Sequence, residues 1–127
     1  MRSIILACMA LCALSASVPA LSHHSTANFD QTKTSTITGT VTYFAFTNPH
    51  SFFDMDVMEK GGTVHHYKIF TVAKVVMVRN GWTNGDLKAG DKVTIIGNPD
   101  RTNPSYMYLQ KITFAGGKVW SRDKIGL

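Results

Sequence analysis

Beyond residue 12 the sequence has no cysteine; the only two, Cys8 and Cys12, lie near its start. The rest of the chain can therefore form neither a disulfide nor a thiolate metal site. Long apolar runs are equally scarce. Ile4–Leu14 is too short to span a bilayer as a permanent helix, and no later segment is apolar enough to try. A glycine-rich phosphate loop, a Gly-x-Ser-x-Gly elbow and a His-Glu-x-x-His pair are all missing, so no motif points to nucleotide, serine-hydrolase or zinc-protease chemistry. Runs of like charge are absent too. The formal net charge of +5 is scattered, which suits a solvated surface with a weak attraction to anionic envelope surfaces.

What is present begins with a targeting pattern. Arg2 supplies a positive start, Ile4–Leu14 an apolar core, and small residues follow. Two cleavage points fit, after Ala20 (Val18-Pro19-Ala20) or after Ser22 (Ala20-Leu21-Ser22). Residues 1–22 read as an export signal, and the mature protein is expected in the periplasm or outside the cell. Leu11 before Cys12, and the short apolar run before Cys8, argue against a lipid anchor. Losing Arg2 leaves one cation fewer, a net +4. Roughly a hundred residues remain, enough for one domain with one core.

Residues 23–33 are polar and aperiodic, an N-terminal arm whose large apolar residue is Phe29. Thr34 to Phe46 alternates as a long Thr-rich strand, with Ile37, Gly39, Val41, Tyr43 and Ala45 on one face and Phe44 among the threonines on the other. Gly39 in mid-strand suggests a bulge. Thr47-Asn48-Pro49-His50 breaks the run as a turn. Ser51–Met58 and Thr63–Thr71 alternate again around a Glu59-Lys60-Gly61-Gly62 hairpin. Val72–Asn80 fits a short helix, with Gly81 as its C-cap and Trp82 anchoring the corner beyond. Further strands are expected at Val93–Gly97, Tyr106–Ala115 and around Val119 and Trp120, with a polar tail over 121–127. Three meander strands, a helix, then two or three strands is the order of an OB-fold. The expected class is all-β with one short helix, a five- to six-stranded OB-fold-like barrel over residues 34–120.

Several segments, in this order, carry a resemblance: His23-His24-Ser25, Phe29-Asp30, Gly39-Thr40-Val41, Thr47-Asn48-Pro49-His50-Ser51, Gly81-Trp82 and Leu87-Lys88-Ala89-Gly90-Asp91-Lys92-Val93. Over essentially the whole mature chain the sequence is similar to a family of small exported bacterial proteins classed as a domain of unknown function. Members often carry Ala-His-Ala before His-His-Ser, which implies a histidine as the mature N-terminus. Where the family commonly has Trp before the Asn-Pro-His turn, this chain has Phe46. Where it often has a carboxylate at the end of the third strand, this chain has Phe70.

Of the five histidines, His23, His24 and His50 are the candidate metal ligands. If cleavage falls before His23, the terminal amine and the His23 imidazole form one chelate. A second imidazole, His50 by preference or His24, completes a three-nitrogen set of the histidine-brace kind. Such a set suits Cu(II), which also stands at the top of the divalent affinity order. If cleavage follows Ala20, His23 stands third, and the amine, two backbone amides and its imidazole wrap Cu(II) or Ni(II) without any fold. The plainer alternative makes His23 and His24 a solvated arm and His50 a turn residue bonded to backbone. His65 and His66 are adjacent on a strand and point to opposite faces, so they cannot chelate one ion together. Asp54 and Asp56 share a face but read as solvated carboxylates, and Met55 reads as core filling. The expected role is copper binding or delivery. The competing one is an interaction module that binds a peptide, glycan or envelope protein through the barrel face. Aromatics such as Phe44, Phe46 and Phe52 raise nucleic-acid binding, and export argues against it.

Overall fold

The structure, a computed structural model, describes residues 24–124. A single helical turn, α1 (His24–Ala27), leads into a long β1 (Ser35–Ala45), then β2 (Phe52–Met58) and β3 (Val64–Phe70). Next come α2 (Lys74–Arg79), β4 (Lys92–Pro99), β5 (Tyr106–Thr113), β6 (Val119–Ser121) and a 3-10 turn at Arg122–Lys124. β1, β2 and β3 form the antiparallel meander that their alternation predicts. β1 also pairs with β4, and β4 with β5. Parallel pairing of β5 with β3, through Lys68↔Tyr106, Ile69↔Met107 and Phe70↔Tyr108, closes the sheet. The circuit β1-β2-β3-β5-β4-β1 is an OB-fold-like barrel, and closure removes most of the open sheet edges. β6 extends it by pairing with β5 at residues 111–113.

β1 belongs to both halves of the barrel. Its first half pairs with β4 and its second with β2, and Gly39–Thr40 sits where the two pairings meet. A Cβ at Gly39 would collide with the Asp56 carbonyl oxygen and come within 2.9 Å of Met55 Cε. Gly39 therefore permits close approach of two strands; it is not the bulge. The bulge lies at Thr42, where the register steps from Val41↔Met55 to Tyr43↔Asp54. One extra residue reverses the side-chain alternation. Ile37, Gly39 and Val41 face the interior as expected, but beyond the bulge the parity changes. Tyr43 is 53% exposed, while Phe44 and Phe46 pack against the core.

α2 is shorter than the nine residues its periodicity suggests. The N–H of Gly81 donates to the Val78 carbonyl (3.1 Å) and the N–H of Trp82 to the Met77 carbonyl (3.0 Å), the paired bonds of a Schellman stop. Gly81 takes φ +91°, which a side chain would resist, so the predicted C-cap is where the helix ends. The stop turns Trp82 straight into the core beside Met77, both fully buried. Four rings surround Trp82: Phe114 at 4.9 Å, Trp120 at 5.3 Å, Phe44 at 5.7 Å and Phe46 at 6.5 Å between centroids. Lys118 ties the following loop down, donating to Asp86 (2.6 Å) and to the Gly81 carbonyl (2.8 Å). The chain stays packed past Trp120, for the Arg122 guanidinium lies 4.6 Å from the Tyr108 ring.

Candidate functional site

Two segments carry the histidines singled out above, and the barrel decides how they relate. The first is the arm. Phe29 is buried, 5.4 Å from the Tyr108 ring and 5.8 Å from Phe70, and bridges to Asp100. The Asp30 N–H donates to the Pro99 carbonyl at 2.8 Å. Fully buried Asn98 donates from one amide nitrogen to the carbonyls of Lys33 (2.8 Å) and Asp30 (3.3 Å), while its oxygen accepts from Gln110 and Arg122. A buried amide with every side satisfied fixes one arrangement of arm, β4, β5 and the C-terminal turn.

The Asp30 carboxylate accepts from the Thr32 hydroxyl (2.6 Å) and N–H (3.1 Å), with Arg101 and Lys33 each 3.6 Å away. The Thr32 bonds, aided by the two cations, hold it below the usual aspartate range. Asp100 is lowered likewise by the N–H of Thr102, then that of Asn103 and the Thr102 hydroxyl. A depressed folded-state pKa gives stability that is complete above the unfolded value and is lost as pH falls through the folded one. The arm should therefore stay docked from pH 7 to 5 and loosen only below about pH 4. Hydrogen exchange at the Asp30 N–H, followed down this range, reads the loosening; arm loss already at pH 6 would contradict it.

The second segment is the turn between β1 and β2, where Asn48-Pro49 is cis. Buried Ser51 organises it: its hydroxyl donates to the Thr47 carbonyl (2.9 Å) and accepts the Thr47 N–H (3.1 Å). The Lys74 N–H donates to the Thr47 carbonyl, and the Val75 N–H to Asn48 Oδ1, so the start of α2 grips the turn. His50 stands exposed on this pinned loop. Two residues on, Phe52 is the register partner of Phe70, the ring against which Phe29 packs. The arm's anchor and the His50 turn therefore belong to the same end of the β2–β3 pair.

Of the predicted ligands, His23 lies outside the described residues and His24 opens α1. Among the described residues no three of His, Cys, Asp and Glu gather closely enough to hold a metal ion. The other two histidines have separate partners. His66 Nδ1 is 2.6 Å from Asp56 on the exposed face of β2–β3, whereas His65 lies between Ser105 Oγ (3.2 Å) and Glu59 (3.4 Å). Asp54 is paired with Lys68 at 2.7 Å. The Asp54 and Asp56 carboxylates are thus engaged across the strands as solvent-facing pairs, which stabilise little.

The barrel carries an outward aromatic row, of which only Phe52 is expected on a binding face from the sequence. Tyr43, Phe52 and Phe70 follow one another at 5.8 and 6.4 Å, and Tyr106 meets Phe70 at 5.2 Å. Phe44, which alternation places among the surface threonines, and Phe46, expected with it on a binding face, are not in it but pack against the core. Only the bulge at Thr42 could have given the assignment, and a bulge leaves no reliable trace in one strand's residues.

The geometry defines a small OB-fold-like barrel with a docked N-terminal arm and a pinned Asn-Pro-His turn. The profile of a family of unknown function, DUF6152, matches residues 11–107, and the chain belongs to that family. A comparison with curated proteins found no match. Among solved structures, the chain is similar to the ZRD-deleted mutant of TiaS in complex with agmatine at 23% identity and TM-score 0.46, over 66% of this chain and 21% of that one. It is similar to TiaS in its complex with a tRNA, AMPCPP and agmatine at 20% and 0.45, over 68% and 19%. It is also similar to Rim1, a mitochondrial single-stranded DNA-binding protein of S. cerevisiae, at 13% and 0.45, over 65% and 92%. The chain spans about a fifth of the TiaS chains. Likenesses of this degree carry no argument about what the chain binds. No helix among the described residues is long and apolar enough to cross a membrane.

Proposed function

We propose that this is an exported metal-binding protein that holds Cu(II) through nitrogens of the His23–His24 region and the imidazole of His50, acting in copper binding or delivery. The observation that supports this reading most is the anchoring of the arm. Phe29 is buried against Phe70, the cross-strand partner of Phe52, and His50 lies two residues before Phe52. Phe29 stands six positions after His23; with four of the five intervening residues coiled in α1 the span is about 13 Å before either imidazole is counted. The described residues supply His50 but no complete ligand set of their own. The proposed site takes its other donors from the N-terminal region, where cleavage before His23 would add a terminal amine to its imidazole. An imidazole on a turn held by Ser51 and α2 needs little ordering on binding, which favours affinity.

Two measurements test the proposal together. Mass spectrometry of the exported protein gives the mature N-terminus, expected at His23. Calorimetric titration with Cu(II) should show tight one-to-one binding that weakens at least tenfold in both His23→Ala and His50→Ala. Binding no tighter than that of an unstructured peptide, or no loss in either variant, would overturn it. Loss in His23→Ala alone, with a terminus at Leu21, would replace the shared site by a terminal wrap.

A further inference from the structure

The aromatic row ends in a groove that the copper reading does not use. It has a volume of about 360 Å³ and lies between the arm, the end of β3 and the β4–β5 loop. That is at the small end of ligand pockets, which run from about 300 to 1,000 Å³. Its apolar wall is made by Phe29, Phe70 and Tyr106, with Phe70 and Tyr106 meeting at 67° to form a corner. Its polar wall is made by Asn28, Asp100, Thr102 and Asn103.

The charge of this lining narrows the occupant. Among the described residues the lining contains no lysine or arginine, and its one carboxylate there, Asp100, already accepts through Oδ1 from the Thr102 N–H, the Thr102 hydroxyl and the Asn103 N–H at 2.8 to 2.9 Å. A single strand of nucleic acid needs cations along its backbone beside the stacking rings; here a phosphate would meet a carboxylate. A purely apolar occupant would strip water from the Asn28 amide and from the Asn103 side-chain N–H groups, whose amide oxygen already accepts the Ser105 N–H (3.0 Å), without replacing those hydrogen bonds, at a cost of about 1–3 kcal/mol each. A pyranose ring meets both walls: its C–H face lies on an aromatic ring, and its hydroxyls donate to and accept from amide and hydroxyl groups. The aromatic row runs on from Phe70 to Phe52 and Tyr43, but the Lys68 ammonium lies over the Phe52 ring, 4.1 Å from its centre, so the stacking platform is the Phe70–Tyr106 corner itself.

We propose that this groove is a binding site for a neutral oligosaccharide, with Phe70 and Tyr106 as the stacking corner and Asn28 and Asn103 as the hydroxyl readers. His50 does not line this groove, so the sugar test can fail or succeed whatever the His50→Ala copper titration shows. The test uses the intact mature protein, labelled with 15N, titrated with cellotriose, maltotriose and chitotriose. At least one should bind saturably. It should shift the side-chain amide signals of Asn28 and Asn103, and it should receive magnetisation from the protein on its ring C–H protons. Tyr106→Ala should weaken that binding at least tenfold, while Tyr106→Phe keeps the ring and most of the affinity. The amide shifts need no variant, so the test survives poor folding of Tyr106→Ala. Absence of binding by all three sugars at 10 mM would overturn the proposal. So would shifts confined to other residues, or binding by a poly-dT oligonucleotide that displaces the sugar.

Discussion

Trp82→Ala should destabilise the protein by about 3–5 kcal/mol, the range for emptying a large aromatic from a closed core. Domains of this size hold only about 5–15 kcal/mol in total, so the loss is a large fraction of the whole. The expectation follows from the position of Trp82. The Schellman stop at Gly81 places it at the closed end of the barrel, 1% exposed, with Phe44, Phe46, Phe114 and Trp120 around it. No single neighbour can move to fill the hole, because Phe44 belongs to β1 and Trp120 to β6. Trp82→Phe should cost markedly less. The buried indole N–H of Trp82 has no hydrogen-bond acceptor among the described residues, so the smaller ring sacrifices volume and no polar contact seen there. Urea denaturation of the two variants beside the wild type gives both numbers. A loss below about 1 kcal/mol for the alanine variant would show that Trp82 is not central to the core.

Gly39→Ala should be nearly as damaging, though it adds only one methyl group. Its Cβ would meet the backbone oxygen of Asp56, which cannot rotate away as a side chain would. Either β1 or β2 must move, and the Thr40↔Asp56 and Val41↔Met55 pairs sit at the point of strain. The cost is expected at the upper end of overpacking, about 3 kcal/mol. Gly90→Ala is a useful contrast. No atom lies within 4 Å of a Cβ there, so its cost comes only from the positive φ of 93° and should stay near 1–2 kcal/mol. Thermal unfolding of the two variants should rank them in that order; the reverse order would refute the close-approach role of Gly39.

Much of this architecture was legible in the residues. Alternation marked the first three strands, Asn-Pro and Gly-Gly marked the turns between them, and Gly81 marked the end of the helix. Those signals are local, and local signals survive in a single sequence. The circuit of strands was legible only as an order of elements, because pairing of β3 with β5 joins residues almost forty positions apart. The bulge at Thr42 was not legible: a strand with one extra residue reads like a strand without it. That one residue sent Tyr43 outward and Phe44 and Phe46 inward, and so hid the aromatic row until the register was known. The candidate copper ligands divide the same way. His50 was legible as a turn residue, and the structure places it on a pinned, exposed loop. The sugar groove draws on the arm, β3, β5 and the β4–β5 loop, and no stretch of sequence holds those parts together.

Electron paramagnetic resonance of the Cu(II)-loaded protein tests most directly whether His50 and the N-terminal histidine region share one ion, as proposed. The wild-type spectrum should show nitrogen superhyperfine structure from the terminal amine and two imidazoles. His50→Ala should remove one imidazole nitrogen and shift the copper parameters, while the protein stays folded because His50 is exposed. A spectrum identical in wild type and His50→Ala would contradict the shared site.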